Sequence, residues 1–531
     1  MRVGRMLHGV VLLLLVQGSG ACGSSGGSGA SSTAGTAGAA GQVSNAGGAG
    51  GMGAAGASGG NHAGSGGSSG SAATFGGAGG ASAASGSGGT SVGGSGTGGV
   101  PTTAIGSGPA LSSVLVGINY WGEQDTESLW PTVKASGVKL IRFGGAGADD
   151  EQPTNQRYAD VATGIEAIGA EPYLQISRHF DATRAGQIVD FINNQQKLHV
   201  RYWSINNEPD IGANEPMMSV ADTANLIKSL GSAMKQADPT ILIFAPETAY
   251  YNTAYLGPML GGANDITGKD DSGNYYIDGV SFHSYAFGQD YDRNAATGAA
   301  SNLRGSVTAL VAALAKANQK NNRTGAAALQ WGLTEFNMTY QNPTNNTVDD
   351  YGVNSFLNGQ FFAEVYGVGM ANGATTMDPW SIHESNGSRS AGDLGYLDGP
   401  LGSTKPRSSY YHLQMVAENF AGKYAPATSS QALMRVVAAG DGAHVAVLVM
   451  NESTDQSYDF GMRLDNAAPA QAKAVTIKVD AALAAEYDGT VAAQASTLYV
   501  FDSAGKLTKR IEYAIADARA YTAPRDTTNA N

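Results

Sequence analysis

The sequence predicts an α/β fold, a (β/α)8 barrel, followed by an antiparallel β-sandwich. Between about residues 113 and 420, eight apolar runs of strand length alternate with segments in which apolar residues recur at helical spacing. After about residue 422, short apolar runs separated by glycine-containing turns replace the helical period. Eight parallel strands close a barrel of this kind, although periodicity alone does not separate it from an open doubly wound sheet.

The eight barrel strands are predicted from apolar runs that end in polar or turn-forming residues. They are Val114–Tyr120, Val138–Phe143, Glu171–Ser177, Val200–Ile205, Ile241–Pro246, Ile277–Ser284, Leu329–Phe336 and Gly373–Pro379. Apolar residues three or four positions apart predict amphipathic helices after the fourth, sixth and eighth strands. They are Ile227, Leu230 and Met234, then Leu303, Val307, Leu310, Val311 and Leu314, then Leu413, Val416 and Phe420.

The sandwich is predicted from two pairs of apolar runs, each joined by a short polar turn. The pairs are Ala432–Ala439 with Ala443–Met450, and Thr497–Phe501 with Leu507–Tyr513. We therefore place the barrel at residues 109–421 and the sandwich at 422–516, with one or two further strands possible from Thr102–Ser112. The polar segment 517–531 is expected to fray.

The first 21 residues have the layout of a signal peptide. Arg2 and Arg5 precede the apolar stretch Val10–Val16, which is too short to span a bilayer, and small residues follow it. Cys22 is the only cysteine, so no intramolecular disulfide can form. Its position resembles a bacterial lipoprotein box, although Ser19 stands where that box usually has a large aliphatic residue. An ordinary cleaved signal with an incidental cysteine is the alternative.

Residues 22–108 form a predicted tether. After Cys22 this segment consists mainly of Gly, Ser, Ala and Thr, and it has no charged residue before residue 101. Such a composition cannot bury enough apolar surface to offset the entropy of ordering the chain. A random coil of this length spans on the order of 50 Å. An exported protein is expected, either secreted or attached to the outer surface through a lipid on Cys22.

The charge of the chain excludes some partners. It has 44 acidic and 31 basic residues, a formal net charge of −13, and no cluster of Lys and Arg. Nucleic acids and anionic lipids are bound through such clusters, so neither is expected as a partner. A neutral polysaccharide would not be repelled, and membrane contact is expected only through a lipid anchor at Cys22. A monomer is expected.

Two glutamates end two of the predicted strands. Glu208, within Asn207-Glu208-Pro209, follows the fourth strand, and Glu335 lies near the end of the seventh. Active sites of (β/α)8 barrels lie at the C-terminal ends of the strands. Hydrolysis of a glycosidic bond needs two carboxyl groups, one to protonate the leaving oxygen and one to attack or polarise the sugar carbon. Asn-Glu-Pro alone also indicates a turn, but a second carboxylate at an independent strand end favours a glycoside hydrolase.

These motifs resemble glycoside hydrolase clan A, the retaining TIM-barrel glycosidases. In that clan the acid/base glutamate follows an asparagine at the end of strand 4, and the nucleophile ends strand 7. The resemblance implies that Glu208 is the acid/base, Glu335 the nucleophile, and Asn207 a ligand of the sugar hydroxyl beside the reacting carbon. The segments 202–209 and 334–337 are most similar to family 44, which contains endoglucanases and xyloglucanases. The appended sandwich resembles that of families 30, 39, 44 and 79.

The same resemblance implies further substrate-binding residues. His283 and Tyr285, at the end of the sixth strand, are similar to the clan's histidine and tyrosine beside the nucleophile. Arg142 is similar to the arginine near strand 2, and Trp380 to the aromatic platform after strand 8. Trp121, after the first strand, is a second candidate for stacking on a sugar. Each of these residues also has a structural explanation, as a core histidine, an ion-pair partner or a packed aromatic ring.

The expected function is therefore an exported, endo-acting retaining glycosidase. Its substrate would be a β-linked polysaccharide such as β-glucan or xyloglucan, cleaved by double displacement without a cofactor. No metal site is predicted, because the segment 270–274 lacks the spacing and final glutamate of a calcium loop. The alternative is a non-catalytic carbohydrate-binding lipoprotein on the same scaffold. Only the enzyme requires Glu208 and Glu335 to face each other.

Overall fold

The computed structural model describes residues 106–120, 127–212, 215–384 and 393–529. The predicted signal segment, Cys22, nearly all of the predicted tether and Trp121 lie outside the described residues. Within the described ranges, no helix has both the length and the apolar character needed to cross a membrane.

Eight parallel strands form the first layer of the fold. They are β1 (Gly117–Tyr120), β2 (Leu140–Phe143), β3 (Glu171–Ile176), β4 (Tyr202–Ile205), β5 (Leu242–Phe244), β6 (Gly279–Phe287), β7 (Gln330–Thr339) and β8 (Thr376–Pro379). Each strand pairs in parallel with the next, and a parallel bridge between Val116 and Met377 closes the sheet. The predicted TIM barrel is confirmed, and the sequential strand order excludes a doubly wound sheet.

Helices follow most of the strands and cover the barrel. They are α1 (Trp130–Ala135), α2 (Ala146–Glu151), α3 (Asn155–Ala167), α4 (Ala182–Val189), α5 (Val220–Ala237), α6 (Thr253–Met259), α7 (Arg293–Ala296), α8 (Ala300–Lys320), α9 (Phe356–Ala371) and α10 (Ser408–Asn419). A π-helical segment, Asp190–Gln195, continues α4. Several helices begin at a side chain that accepts a backbone N–H, such as Ser219 before α5 and Ser355 before α9.

The predicted helical faces are buried except at two residues, and one of these, Phe420, follows the last residue of α10 and is only partly buried. Ile227, Leu230 and Met234 of α5 lie in the core, as do four of the five residues predicted for α8. The fifth, Val311, is 38% exposed. It adjoins Leu310 in sequence, so the rotation of 100° per residue carries it past the edge of the buried stripe.

The second layer is a β-sandwich. A separate small hairpin, β9 (Leu397–Asp398) and β10 (Lys405–Pro406), lies between β8 and α10 in sequence. The strands of the sandwich are β11 (Lys423–Tyr424), β12 (Ala427–Ser429), β13 (Met434–Gly440), β14 (His444–Asn451), β15 (Tyr458–Arg463), β16 (Val475–Val479), β17 (Glu486–Val491), β18 (Ala495–Asp502), β19 (Leu507–Ala514) and β20 (Arg525–Asp526). One sheet has the order β11-β13-β14-β18-β19-β20 and the other β12-β16-β15-β17. Among these described strands only β15 and β16 pair in parallel.

The two ends of the described chain both join the sandwich. Ala110 bridges Lys423 of β11, so the segment before the barrel contributes one short pairing. The expectation that the chain frays from residue 517 is wrong for the described residues. A last helix, α11 (Ile515–Arg519), is closed by Asp517, whose carboxylate accepts the Ala514 N–H, and β20 pairs with β19. The polar composition of this segment predicted fraying. Its pairing with β19 is made by backbone groups, which the pattern of side chains does not report.

Helix α9 joins the barrel to the sandwich. All of its residues from Phe356 to Met370 are buried, and it packs against both β7 and β13. Its Gln360 donates to the backbone oxygens of Asn451 (3.1 Å) and Ala495 (3.3 Å) in the sandwich. A mainly apolar helix that is buried on every side is expected only where protein surrounds it completely.

Candidate active site

Three glutamates lie at or near the C-terminal ends of the barrel strands β4, β5 and β7. Glu208 follows β4, Glu247 follows β5, and Glu335 is part of β7. Two of them adopt the left-handed backbone region, with φ of 44° at Glu208 and 60° at Glu247. For residues other than glycine this conformation costs about 1–3 kcal/mol and persists only where the surroundings hold it. A hydrogen bond from the Glu208 N–H to the Glu247 carbonyl, 2.8 Å long, holds both turns.

The side chains of Glu208 and Glu335 face one another across His283. The imidazole Nδ1 lies 2.9 Å from Oε1 of Glu208 and 3.6 Å from Oε2 of Glu335. Nδ1 and one oxygen from each carboxylate all lie within 4.8 Å of one another. Carboxyl groups about 5–5.5 Å apart allow direct attack on a sugar carbon, whereas inverting enzymes separate them by about 6.5–9.5 Å. The spacing fits the retaining arrangement.

Glu335 receives two donors in addition to its contact with His283. Arg142 Nη1 lies 3.0 Å from Oε1, and the Tyr285 hydroxyl donates to Oε2 at 2.8 Å. Both donors stabilise negative charge on the carboxylate. The Glu335 side chain is only 7% exposed and that of Glu208 17%, so each has one open side. The environment suits a nucleophile that must stay ionised.

Arg142 lies at the centre of a buried polar network. Its guanidinium also donates to Asn119 Oδ1 (2.8 Å), Asn207 Oδ1 (3.0 Å) and Gln175 Oε1 (3.1 Å). Burial alone would lower the pKa of Arg142, but Glu247 and Glu335 together raise it above its ordinary value. Arg142 is therefore both an ion-pair partner inside the barrel and a donor to Glu335, and it orients the Asn207 amide.

His283 is completely buried between carboxylates. Its Nε2 lies 3.1 Å from Oε2 of Glu247, so the two ring nitrogens face two different carboxylates. Burial alone would lower the pKa of His283, but the charge of Glu335 and the hydrogen bonds with Glu208 and Glu247 raise it to about 10. Near neutral pH both ring nitrogens therefore donate.

Glu247 belongs to this buried network but was not among the residues predicted from the sequence. It meets the criterion that selected the other two glutamates, because it directly follows the predicted strand Ile241–Pro246. A search for carboxylates after every strand would have found it. Asn119 of β1 and Gln175 of β3 were missed for a different reason, since amides inside predicted strands carry no distinguishing signal.

The predicted aromatic platforms fall in different surroundings. Trp380 is only 6% exposed, and its ring lies against Gly145, where an added Cβ would come within 2.7 Å of it. The exposed rings near the barrel mouth are Tyr250 after β5 and Tyr340 after β7, at 52% and 56%. The Tyr340 ring stands perpendicular to that of Tyr285, with 6.4 Å between centroids. Tyr340 therefore places an accessible ring beside the donor to Glu335.

The donor set Glu208, His283 and Glu335 also has the spacing of a metal site. Its donors already have protein partners, because His283 Nδ1 lies 2.9 Å from Glu208 and Arg142 Nη1 lies 3.0 Å from Glu335. In the other metal candidate, Asp270 Oδ1 accepts the N–H groups of Ser272 and Asn274, both at 2.9 Å. That oxygen closes its own turn.

Comparison with known proteins supports the fold. No protein-family model and no curated protein sequence matches this chain. Among solved structures, a family 51 α-L-arabinofuranosidase from Bifidobacterium longum is similar with a TM-score of 0.55 and 14% identity, covering 75% of this chain and 97% of the other. A bifunctional glucanase-xylanase from a metagenome library has a TM-score of 0.50 and 14% identity, over 74% and 96%. A family 44 xyloglucanase from Paenibacillus polymyxa has a TM-score of 0.49 and 11% identity, over 76% and 99%.

The chain therefore shares the fold of the α-L-arabinofuranosidase and the glucanase-xylanase, a TIM barrel with a β-sandwich. At 14% identity the likeness concerns the fold. The chemistry must be argued from the side chains of this chain.

Proposed function

We propose that this protein is a retaining glycoside hydrolase that cleaves a β-linked polysaccharide within the chain. The observation that carries the proposal is the approach of Glu208 and Glu335 across His283, with one oxygen from each within 4.8 Å. The approach lies at the end of the barrel where TIM-barrel enzymes bind substrate. The alternative, a binding protein without catalysis, does not require two carboxylates so close together.

The first half-reaction is the formation of a glycosyl-enzyme. Glu335 attacks the anomeric carbon while the bond to the leaving oxygen breaks, and Glu208 gives its proton to that oxygen. Arg142 and Tyr285 keep Glu335 ionised and aimed, through the contacts of 3.0 Å and 2.8 Å. Asn207, fixed by Arg142, is placed to bind the hydroxyl beside the reacting carbon.

The second half-reaction releases the sugar. Glu208, now a carboxylate, takes a proton from water, and the water oxygen attacks the anomeric carbon as the bond to Glu335 breaks. Two inversions at one carbon leave the product with its original configuration. No cofactor takes part in either step.

The substrate is proposed on the chemistry of the surface. The net charge of −13 does not favour an acidic polymer, and the exposed Tyr250 and Tyr340 rings offer flat apolar faces to neutral sugars. β-Glucan and xyloglucan are our first candidates. The glucanase-xylanase and the α-L-arabinofuranosidase with the same fold add xylan and arabinofuranosides to the panel to be assayed.

The test is hydrolysis by the purified protein and two variants. We expect retention of configuration by NMR of fresh product and no activity for Glu335→Ala. Glu208→Ala should still release dinitrophenol from an activated aryl glycoside, because that leaving group needs no acid. Inversion of configuration, or equal loss in both variants on the activated substrate, would contradict the assigned roles.

We also propose that the protein is exported and held at the outer surface by a lipid on Cys22. The support is the signal layout of residues 1–21, the single cysteine directly after it, and the uncharged segment that separates Cys22 from the barrel. Such a tether would leave the barrel mouth free to reach an insoluble or high-molecular-weight substrate.

A further inference from the structure

We propose that Glu247 is a positioning residue that keeps His283 protonated on both nitrogens and thereby decides which oxygen of Glu208 carries the catalytic proton. The catalytic consequence rests on the proposed function, whereas the charge of His283 can be measured without it.

The Glu247 carboxylate is surrounded by hydrogen-bond donors and positive charges. Its Oε1 accepts from the Tyr173 hydroxyl at 2.8 Å. Its Oε2 accepts from Thr334 Oγ1 at 2.5 Å and lies 3.1 Å from His283 Nε2 and 3.2 Å from Arg142 Nη2. The side chain is fully buried. A buried carboxylate stays ionised only where donors and opposite charges compensate it, and four strands supply them here.

The charges around His283 come from every neighbouring strand. Arg142 on β2 is the other cation. The carboxylates of Glu208 and Glu335 face Nδ1 of the His283 ring, and that of Glu247 faces Nε2. Burial alone would raise the pKa of Glu247, but Arg142 and His283 lower it to about 2. Asp378 on β8 is buried as well, and burial raises the pKa of its carboxyl well above the usual range, so it adds no charge.

The charge of the His283 ring fixes the direction of its hydrogen bond with Glu208. With Glu247 ionised, Nε2–H donates to it and the cationic ring must also donate through Nδ1. Oε1 of Glu208, 2.9 Å from Nδ1, is then an acceptor, so the proton of the acid must be on Oε2. If Glu247 carried no negative charge, the His283 ring would be neutral and would have a hydrogen on one nitrogen only. Nδ1 could then become an acceptor and take up the proton that Glu208 has to deliver.

The backbone conformation at Glu247 is held by contacts that do not involve its side-chain charge. The turn of Glu247 is held by main-chain contacts, because its N–H donates to the Ser281 carbonyl and its own carbonyl accepts the Glu208 N–H. Asp210 ties the same loop through the Ala249 N–H at 2.9 Å. Glu247→Gln keeps these main-chain contacts and the size of the side chain. It removes the negative charge and replaces one acceptor oxygen by an amide donor.

The experiment compares wild type with Glu247→Gln, and uses Glu364→Gln as the matched control. Glu364 is a buried carboxyl on α9, where its nearest charged partners are Arg435 and Glu452 of the sandwich. For Glu247→Gln we expect a ~10- to 100-fold loss of kcat and an alkaline limb of the rate profile shifted to lower pH, because His283 now loses its proton in the neutral range. Glu364→Gln should keep the wild-type profile.

A direct readout is the ¹⁵N NMR signal of the His283 ring, identified as the signal lost in His283→Asn. In the wild-type protein we expect both nitrogens to be protonated at pH 8, and in Glu247→Gln one nitrogen to be unprotonated there. A neutral wild-type ring at pH 8 would overturn the proposal. So would a pH–rate profile of Glu247→Gln that has the same limbs as the wild type at a lower rate. Should the variant fail to fold, the wild-type signal still decides. Absence of any glycosidase activity would sink the proposed function and leave the ring measurement standing.

Discussion

Tyr285 and Arg142 approach Glu335 from different sides, and neither contact depends on a flexible loop. Arg142 is part of β2, and Tyr285 lies on β6, so the parallel strands fix both donors relative to β7. Donors on rigid strands hold a catalytic carboxylate in one orientation at little entropic cost during the reaction. The Tyr285 hydroxyl is therefore expected to matter for charge on Glu335.

Tyr285→Phe tests this contribution. Loss of a hydrogen bond to a charged group costs about 1.5–3 kcal/mol, which corresponds to about a 10- to 100-fold lower kcat/KM. Glu335 would be less firmly held in the orientation for attack without this donor. Steady-state assays of both proteins measure the loss.

The control for that variant is Tyr458→Phe, on β15 of the sandwich. It should leave kcat/KM unchanged. An unchanged kcat/KM in Tyr285→Phe would assign the tyrosine to packing.

At the residue scale, the sequence predicted the reacting groups better than their support. Glu208 and Glu335 were found because each is a carboxylate at the end of an apolar run. The contacts of Glu247 with Tyr173 and Thr334 join residues far apart in the chain. Such contacts exist only after the barrel closes, so no local pattern reports them.

Among the elements, α10 carries a buried histidine at the junction with the sandwich. His412 Nδ1 lies 2.9 Å from the Ser408 carbonyl, and Nε2 lies 2.8 Å from Ser496 Oγ on β18. Burial lowers the pKa of His412 to about 4, so the ring is neutral in the folded protein near pH 7. A neutral ring donates through Nδ1 and accepts from the serine.

This histidine predicts a loss of stability in acid. The pKa of His412 is depressed in the folded state, so the unfolded state binds more protons as pH falls below about 6.5. The free energy of unfolding should drop by on the order of 3 kcal/mol between pH 6.5 and 4 from this group. Urea unfolding at several pH values measures it.

His412→Gln should flatten that dependence, whereas His444→Gln, on an exposed side chain of β14, should not. Equal slopes in the two variants would show that His412 is not the group responsible.

At the element scale, all eight barrel strands could be predicted because each is a short segment rich in apolar residues. The end of the chain could not. Backbone pairing places β20 on β19, and the side chains of Arg525 and Asp526 are exposed, so they resemble those of a loop.

For the molecule as a whole, attachment through Cys22 is a prediction from sequence. The wild-type protein should fractionate with membranes, and Cys22→Ser should not be processed as a lipoprotein. Two or three acyl chains on one residue suffice for stable attachment, whereas one is marginal. Mature protein recovered from the medium with a free thiol at Cys22 would decide against anchoring.

The position of α9 has a consequence for how the molecule loses its structure. Removing the sandwich would leave the α9 surface near Val437 facing water, and it would remove the carbonyl partners of Gln360. Neither the barrel nor the sandwich can then melt alone without exposing apolar surface of the other. We therefore expect the barrel and the sandwich to unfold together in one thermal transition, and we expect the barrel without the sandwich to be unstable.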